Sequence, residues 1–578
     1  MSESVPAAAG PAAPVITGRR RTIALWVVLL AFFMDVLDTT IVNVAIPSIQ
    51  AHLGASYSAI QWIIAGYALT FALFLITGGR LGDIFGYRTL FLAGMAGFTL
   101  ASAACGLAST TEILIGARLV QGFMAAMMVP QILSTIQVMF TQVEERQGVS
   151  AFYGATAGVA TVAGPIVGGL LIGGDLFGFG WRAIFLVNVP VGIGALVLAW
   201  IFLPKAKSPH PLRLDLVGVA LILVAMLLLM YPLIQGRELD WPVWAFVAMA
   251  ASLPAFFVFG GSQIAKDRRD GSPLVVPHLF THRSFVAGLT LSGSFFAIVT
   301  GYFLVFTLFL QVGLGYSVLK AGLTGIPFSL GVSVGAGLSG PVLVPKFGRN
   351  ILTAGPLLLI AGFLLFIASA RTFGAELTPW ELIPALIIGG LGMGCVVASV
   401  YPFILAEVPI KDAGSASGIV SATQQIGSAI GIAAIGVVFF GLLGSNADSS
   451  ALSVRDDLAS DLAAAGVPDY AVPAVLDGFE ACFRDRANAK DPLAVPKSCQ
   501  KAQDAQAAFA ATQPEMAAKV LAAVTARAAE ANQRNFSHAL ERTLMWQCGA
   551  LVLVALLSFA LPMRPKRRAD VAEEDAPA

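Results

Sequence analysis

Two aspartates in one apolar stretch are the first residues whose chemistry stands out. Asp35 and Asp38 lie three positions apart in this stretch, so a helix would place both on one face. A carboxylate at the centre of a bilayer costs about 2.5–3.5 kcal/mol on insertion scales and usually serves a function. In apolar, crowded surroundings such a group can exchange protons near neutral pH. We interpret both as candidate proton-coupling groups; the alternative is a static hydrogen bond between helices.

An arginine in a second apolar stretch is a candidate partner for these carboxylates. Arg118 would lie roughly 9 Å below the outer end of its helix, and Asp38 roughly 12 Å below the outer end of its own. We expect an ion pair or a shared water network between them, because an unpaired buried arginine is costly. The alternative is that Arg118 extends along its helix to the membrane surface.

The composition predicts that these residues belong to a membrane protein. Hydrophobic residues make up 57% of the 578 residues and charged residues 12%, against about 25% charged in soluble domains. Fourteen apolar stretches are long enough to cross a bilayer, which takes roughly 20 residues. Backbone groups in lipid must be satisfied within each segment, so the predicted fold class is all-α. The predicted spans are 23–46, 58–79, 89–108, 112–138, 147–172, 184–203, 214–234, 242–262, 286–312, 320–345, 350–370, 380–405, 413–443 and 543–562.

Basic residues predict the orientation of these spans. Counted from a cytoplasmic start, 20 lysines and arginines lie in segments on the cytoplasmic side and 4 in the short loops on the other side. An excess of basic residues is typical of cytoplasmic loops. We therefore expect a multi-pass protein of the cell (inner) membrane with both termini in the cytoplasm.

The span count also predicts the domain organisation. Short basic loops that contain Phe-Gly follow the second and tenth spans, as in a repeated bundle. With spans seven and eight as an insertion, the architecture becomes six, two and six helices. The predicted domains are a disordered cytoplasmic tail at 1–22, a six-helix bundle at 23–204, two inserted helices at 205–270, a second six-helix bundle at 271–562 with an extracellular loop at 445–542, and a cytoplasmic tail at 563–578.

The polar segment 445–542 contains two cysteines, Cys482 and Cys499. The predicted topology places this segment outside the cell, where disulfides persist. A bond between the two cysteines would stabilise the segment by about 3 kcal/mol. We expect such a disulfide and an extracellular helical hairpin, with 514–542 as one helix; the alternative is a plain solvated cap.

Glycine and proline mark two further candidate motifs. The fifth span contains Gly158, Gly164, Pro165, Gly168 and Gly169. Proline bends a helix and glycine allows a neighbouring helix to come close, as alternating access would require. The short loop between spans two and three contains Gly79, Asp83, Gly86 and Arg88. Its acid can interact with a helix terminus or pair with Arg88 or Arg146; the alternative is a simple topological anchor.

Aromatic and amide residues within the spans are candidates for a substrate cavity. An apolar pocket with a few polar groups suits drug-like ligands, and aromatic rings attract cations. The alternative is ordinary packing or an aromatic belt at the membrane surface. The candidates are Tyr67, Tyr153, Tyr302, Phe306, Tyr401, Gln424 and Gln425.

Taken together, the motifs resemble the major facilitator superfamily, and specifically its fourteen-span drug:proton antiporter branch of the multidrug efflux type. The resemblance rests on residues 37–47, 79–88, 118–122, 164–169 and 181–190. It implies the major facilitator fold, with two six-helix bundles plus two extra helices. It also implies that the 164–169 stretch is the antiporter motif.

The resemblance assigns roles to single residues. Asp38 becomes the leading proton-coupling residue, Arg118 its functional partner and Asp83 part of a conformational latch. Ile84 and Tyr87 replace basic residues that are common in the loop motif, which weakens the charge network of that latch. Asp35 is not part of the general motif, so its role rests on its predicted burial.

The sequence therefore predicts proton-coupled export, or antiport, of small amphipathic or cationic drug-like molecules by alternating access. One alternative is an exporter of an endogenous lipid, siderophore or antibiotic, and another is a transport-inactive membrane receptor. A membrane-embedded transferase would need a catalytic cluster, whereas the five histidines are scattered. We expect no enzyme activity, no cofactor, no metal and no nucleotide, with the proton gradient as the driving force.

The expected partners are the small-molecule substrate, protons and the lipid bilayer, and not nucleic acid. We expect a monomer, and a periplasmic adaptor is not indicated. The second bundle contains no acid at mid-membrane depth in the predicted topology, so we expect weak recognition of doubly charged cations.

Overall fold

The computed structural model describes residues 18–140, 143–175, 178–208, 213–408, 413–489 and 495–564, and these are almost entirely helical. Long apolar segments without nearby strand partners satisfy their backbone groups as helices. Most of the two predicted cytoplasmic tails lies outside the described residues.

The helices follow one another along the chain with short connections. The first bundle consists of α1 (Gly18–Leu53), α2 (Tyr57–Phe85), α3 (Tyr87–Gly106), α4 (Thr111–Met139), α5 (Val143–Gly173) and α6 (Gly180–Phe202). The inserted pair is α7 (Leu216–Gln235) and α8 (Val243–Asp270). The second bundle consists of α9 (Arg283–Gly313), α10 (Val318–Leu338), α11 (Asn350–Phe373), α12 (Pro379–Ile404), α13 (Ala413–Ser445) and, at the end of the chain, α18 (Pro514–Leu557). Four shorter helices precede α18: α14 (Ala447–Leu452), α15 (Arg455–Ala464), α16 (Val472–Asn488) and α17 (Lys497–Thr512).

Among the described residues, thirteen helices are long and apolar enough to cross a membrane. The predicted fifth span coincides with α5, which is 31 residues long and whose side chains are described only in part. The first helix begins at Gly18, so the assignment of residues 18–22 to a disordered tail was wrong. We call the face at which α2 begins the outer face and the opposite one the inner face, following the predicted orientation.

Within each bundle the helices pack through small residues. In the first bundle α2 packs on α4, and α1 on α5; in the second, α12 packs on both α10 and α11, and α9 on α13. A Cβ on Gly122 of α4 would lie 2.3 Å from the carbonyl oxygen of Tyr67 on α2. Such contacts between backbones are the usual means of tight association in membranes, where burial of apolar groups from water does not contribute.

The inserted pair lies beside the two bundles. Helix α8 packs chiefly on α7. Only 11% of its apolar 18-residue stretch is buried, so most of its surface is available to lipid. Helix α7 packs against α2 of the first bundle and α13 of the second. Helix α7 therefore covers the seam between α2 and α13.

Residues 445–542 form a helical cap rather than the predicted hairpin. Helices α14 to α17 and the first part of α18 enclose a small apolar core that includes Leu458, Leu462 and Phe479. A disulfide joins Cys482 of α16 to Cys499 of α17. Helix α18 is 44 residues long and continuous, so the predicted boundary between cap and last span falls inside one helix.

The cap is connected to the second bundle by packing and hydrogen bonds. Asn535 donates a hydrogen bond of 3.1 Å to the carbonyl of Leu443 on α13. Within the cap, Arg527 donates to Asp461 at 2.7 Å, and this hydrogen bond lowers the pKa of the Asp461 carboxyl. The continuous α18 therefore carries the cap on the second bundle.

The disulfide should stabilise the cap without being needed by the spans. Replacing both Cys482 and Cys499 by alanine should destabilise the cap by about 3 kcal/mol, because the loop between them is no longer closed in the unfolded cap. Limited proteolysis should then cut the cap faster, while the spans stay protected. Cys548→Ala, which removes a free buried thiol in the membrane part of α18, is the matched control. Equal cleavage rates in both variants would contradict the prediction.

Candidate functional site

The carboxylate of Asp38 and the guanidinium of Arg118 meet in the interior of the first bundle. Asp38 on α1 is 0% exposed and Arg118 on α4 is 1% exposed, and the two form a direct ion pair. The Nε of Arg118 also donates to the carbonyl of Ile63 on α2 at 3.1 Å. Arg118 therefore links three helices, and the alternative in which it extends to the membrane surface was wrong.

Two amide side chains complete the shell of donors around Asp38. Gln121 of α4 and Asn188 of α6 both donate to Oδ1 of Asp38, at 2.9 and 3.1 Å. Both amides also donate to the hydroxyl of Ser102 on α3, at 3.2 and 3.0 Å. Our sequence analysis did not select these three residues. Gln121 and Asn188 stand inside the quoted motifs 118–122 and 181–190, where a polar side chain in an apolar run was the available signal.

Asp35 belongs to the same site through a tyrosine. The hydroxyl of Tyr67 on α2 donates to Oδ1 of Asp35 at 2.5 Å. The guanidinium carbon of Arg118 lies 4.3 Å from the centre of the Tyr67 ring. Tyr67 thus touches both the second carboxyl and the arginine, so it is part of the charged cluster.

Asp38 is a buried carboxylate with hydrogen-bond donors at both oxygens. Both oxygens of Asp38 accept from nitrogen donors, which an ionised carboxylate requires. Arg118 supplies one positive charge, whereas Asp35 and Asp38 supply two groups able to carry negative charge. Protonation of one carboxyl would balance the charge of the cluster. The site is thus chemically suited to take up and release a proton.

The predicted glycine motif of α5 packs on α1, the helix that contains Asp38. A Cβ on Gly164 would lie 2.0 Å from the hydroxyl oxygen of Thr40 and 3.1 Å from the backbone nitrogen of Ile41, next to Asp38 on α1. On the same helix, a Cβ on Gly169 would approach Leu319 of α10 to 3.0 Å. Pro165 lies between them, and Gly168 also faces Ile41. Helix α5 therefore touches both the charged cluster's helix and the second bundle; the Gly158 position lies outside the described side chains.

The motif between spans two and three is mostly helical. Helix α2 continues to Phe85, so Gly79 and Asp83 lie in its last turns, and the turn itself is made by Gly86 with φ of +97°. Asp83 accepts a hydrogen bond from Tyr87 at 3.0 Å. Arg88 donates to the carbonyl of Trp200 on α6 instead of pairing with Asp83. Arg88 was one of two arginines considered as partners of Asp83; the side chain of the other, Arg146, lies outside the described part of the chain.

Arg80 in the same motif is a residue that our sequence analysis did not select. It is only 6% exposed and donates hydrogen bonds to the carbonyls of Arg213, Ser272 and Pro273. The signal that could have identified it is its place in the motif, since an arginine so close to a membrane span needs several acceptors.

The predicted cavity residues occupy separate places. Tyr302 is 2% exposed and stacks on Phe363 with ring centres 4.7 Å apart, and Phe306 packs beside it. They form an aromatic cluster rather than a cavity wall, because neighbouring rings cover both. Tyr401 shares a hydrogen-bond group with Gln424 and Ser292, while Gln425 is half-buried. The side chain of Tyr153 lies outside the described residues.

A cavity of about 650 Å³ is found elsewhere, between α11 and α18 near the outer face. Its charged lining includes Arg371 and Glu541, which pair with each other. In the described part of the chain, no group of three or more histidine, cysteine, aspartate or glutamate side chains is arranged to hold a metal ion.

The ion pair should show strong coupling in a double-mutant cycle. Arg118→Met leaves the Asp38 carboxylate buried without its counter-charge and should destabilise the protein by about 3–5 kcal/mol. Adding Asp38→Asn should recover much of that loss, because the uncompensated charge is gone. Denaturant unfolding in detergent measures both. The exposed pair Arg455–Asp477 of the cap should couple weakly and is the control. Simple addition of the two losses at Asp38 and Arg118 would contradict the prediction.

Comparisons with solved structures show the fold. A bacterial homologue of the human lysosomal transporter Spinster, crystallised in an inward-facing and unoccupied conformation, matches with a TM-score of 0.57 and 17% identity, covering 94% of this chain and 98% of that one. An auto-inhibited peptide transporter of the POT family matches with a TM-score of 0.53 and 16% identity, covering 82% and 96%. The two-bundle architecture is therefore shared with transporters of known structure.

Comparisons of sequence are more specific. The "Probable actinorhodin transporter" of Streptomyces coelicolor is 41% identical over 98% of this chain and 96% of its own length. The "Tetracenomycin C resistance and export protein" of Streptomyces glaucescens is 34% identical, over 72% of this chain and 77% of its own. The "Multidrug resistance protein Stp" of Mycobacterium tuberculosis is also 34% identical, over 71% and 74%. The profile named Major Facilitator Superfamily matches residues 28–432. The chain thus belongs to the Major Facilitator Superfamily, whose members are membrane transporters and not enzymes.

Proposed function

We propose that the protein exports small amphipathic or cationic drug-like molecules in exchange for protons, by alternating access between its two bundles. The relatives named for resistance or export support efflux as the direction of transport. Proton coupling is our own addition, and it rests on the charged cluster of the first bundle.

The observation that carries the proposal is the buried ion pair between Asp38 and Arg118. A purely structural role is a poor explanation for it, because apolar side chains of similar volume often stabilise a fold as well or better. Ionisable groups inside the membrane are expensive and mark proton or substrate pathways. The pair is also surrounded by amides that can reorient when the charge of Asp38 changes.

Protonation of Asp38 would supply the energy difference that alternating access requires. A ligand shifts an equilibrium only by binding one state better than the other. The proton removes the charge that attracts Arg118, so the links from α1 to α4 weaken. Arg118 keeps its bonds to Ile63 and Gln121 and remains satisfied. The first bundle would then have two arrangements that differ in how α1 sits against α4.

Helix α5 would pass this change to the second bundle. It packs at Gly164 on Thr40 and Ile41 of α1, the helix that contains Asp38, and at Gly169 on α10. Gly322 of α10 lies against the backbone of Pro165, where a Cβ would be 2.5 Å from its carbonyl oxygen. The glycines at these positions let α5 lie close to both α1 and α10.

A second candidate function is export of an endogenous antibiotic. It is favoured by the match to the "Probable actinorhodin transporter", which extends over 98% of this chain, cap included. The relatives named for multidrug, puromycin and tetracenomycin C resistance match about three quarters of the chain or less. The chemistry of coupling would be the same in both cases.

The orientation proposed is that of an inner-membrane protein with both termini in the cytoplasm and the cap outside. The distribution of basic residues supports it. The Cys482–Cys499 disulfide supports it independently, because disulfides persist in oxidising compartments and are rare in the cytoplasm. We propose that a monomer carries out transport.

Asp38→Asn should strongly weaken the coupling between substrate and proton movement. In proteoliposomes that contain an internal pH dye, puromycin, tetracenomycin C and actinorhodin should each be tested for substrate-induced proton movement across an imposed gradient. The asparagine keeps the shape of the side chain but cannot exchange a proton, and it retains only one of the two acceptor oxygens. Substrate-induced proton movement should fall roughly 10-fold or more, within the range of coupling between sites in other proteins.

Two further variants make the result specific. Asp35→Asn tests whether the second carboxyl shares the role, and Asp461→Asn in the cap is a control that should leave proton movement unchanged. Gradient-driven transport that survives in both Asp38→Asn and Asp35→Asn would refute the assignment of the carboxylates. Response to one probe alone would favour export of an endogenous antibiotic, and response to all three would favour multidrug export.

A further inference from the structure

We infer that the inserted helices α7 and α8 are fastened to α2 at both faces of the membrane and move with the first bundle during transport, with Arg80 as the inner fastener. The inference rests on the alternating access of the proposed function. It goes beyond that function because it states which bundle the insertion moves with during transport. Our sequence analysis treated these spans only as extra helices.

At the inner face, one guanidinium holds both ends of the insertion. Arg80, in the last turns of α2, donates to the carbonyl of Arg213, which precedes α7, at 3.1 Å. It also donates to the carbonyls of Ser272, at 3.0 Å, and Pro273, which both follow α8. A guanidinium carries five donors in a rigid fork and stays charged, so it can bind several carbonyls at once.

The chain segments that Arg80 binds are themselves tied into one unit. Asp215 is 4% exposed and caps α7 by accepting from the backbone nitrogen of Gly218 at 3.0 Å. The same carboxylate accepts from Gln263 of α8 at 2.9 Å and from the backbone nitrogen of Leu274 at 3.2 Å. The inner ends of α7 and α8 and the segment after α8 therefore cannot separate without breaking buried hydrogen bonds.

At the outer face, the start of α2 binds the other end of α7. The backbone nitrogen of Ser58 donates to Glu238 at 3.1 Å, and its hydroxyl donates to Gln235 at 3.2 Å. Ser58 and Arg80 are separated by roughly 33 Å along the helix axis. That distance is close to the thickness of the hydrocarbon core, about 30 Å. The insertion is thus held to one helix across the full membrane.

At the outer face, Arg237, which follows α7, contacts the second bundle through a cation–π interaction and not through a hydrogen bond. The guanidinium carbon of Arg237 lies 5.6 Å from the ring centre of Phe440 on α13. It lies 5.5 Å from the ring centre of Tyr57 on α2. A cation above a ring tolerates sliding better than a hydrogen bond does, because ring contacts are less directional. When the bundles rock, α7 should therefore stay with α2 and slide along α13.

The test measures distances between spin labels at three exposed outer positions: Leu107 in the first bundle, Val243 in the insertion and Trp380 in the second bundle, which are 73%, 79% and 76% exposed. Pairs of labelled cysteines are placed at these positions in protein reconstituted in lipid nanodiscs. The three free buried cysteines are replaced by alanine and the cap disulfide is kept. Pulsed electron resonance at low and high pH gives the distance distributions.

In the fastening arm, Arg80→Ala should broaden the Val243–Leu107 distribution, because the inner ends of the insertion are released. Arg88→Ala is the matched control: it removes a neighbouring arginine that bonds to Trp200 of α6 and not to the insertion. Ser58→Ala combined with Glu238→Ala removes both hydrogen bonds of the outer fastener and should broaden the same distribution if Arg80→Ala does not fold. A distribution as narrow in these variants as in the parent would overturn the inference.

In the motion arm, conditions that shift the Leu107–Trp380 distance should shift Val243–Trp380 with it and leave Val243–Leu107 in place. The reverse pattern, with Val243–Trp380 fixed and Val243–Leu107 shifting, would overturn the inference. A Leu107–Trp380 distance that never changes would speak against alternating access in the proposed function. The fastening arm would still decide whether Arg80 holds the insertion.

Discussion

The structure depends on one physical constraint: a carboxylate placed inside a bilayer must receive its hydrogen bonds from the protein, because no solvent supplies them. Asp38 meets this constraint with donors from two other helices: Arg118 and Gln121 on α4 and Asn188 on α6. Both amides also donate to the hydroxyl of Ser102 on α3. The same carboxylate therefore fixes how α1 sits in the first bundle. A change in its charge would alter the contacts of all these helices at once.

The centres of the two bundles are held together by different interactions. The first contains the buried charges, and its helices are positioned by directional hydrogen bonds. The second holds its centre together with aromatic rings, such as Tyr302 and Phe363, and with backbone contacts at glycines, such as Gly392 against α11. Coupling between the bundles then depends on α5, which touches Thr40 near the charges on one side and α10 on the other. One bundle would sense the proton, while the other would respond through packing.

Much of this arrangement could be predicted from the sequence, because membrane spans, buried charges and glycine motifs leave strong local signals. The pairing of Asp38 with Arg118 followed from their similar depths. The role of the amides around Asp38 could not be predicted. Gln121 and Asn188 are polar residues within motifs, and their type and position alone do not show that they bind Asp38. The bonds of Arg80 depend on the path of the chain around the insertion, which spacing alone does not reveal. The sequence predicted a hairpin where the structure has a cap of several helices. The number of helices in a polar segment depends on tertiary packing, which span length does not reveal.

The central claim is that Asp38 itself takes up and releases the transported proton, and infrared difference spectroscopy of the protein in lipid tests it most directly. Spectra recorded between low and high pH report the carbonyl band of a protonated carboxyl group. We expect a band that appears at low pH in the parent protein and is lost in Asp38→Asn, while Asp461→Asn in the cap leaves it unchanged. A band that persists unchanged in Asp38→Asn would contradict the claim.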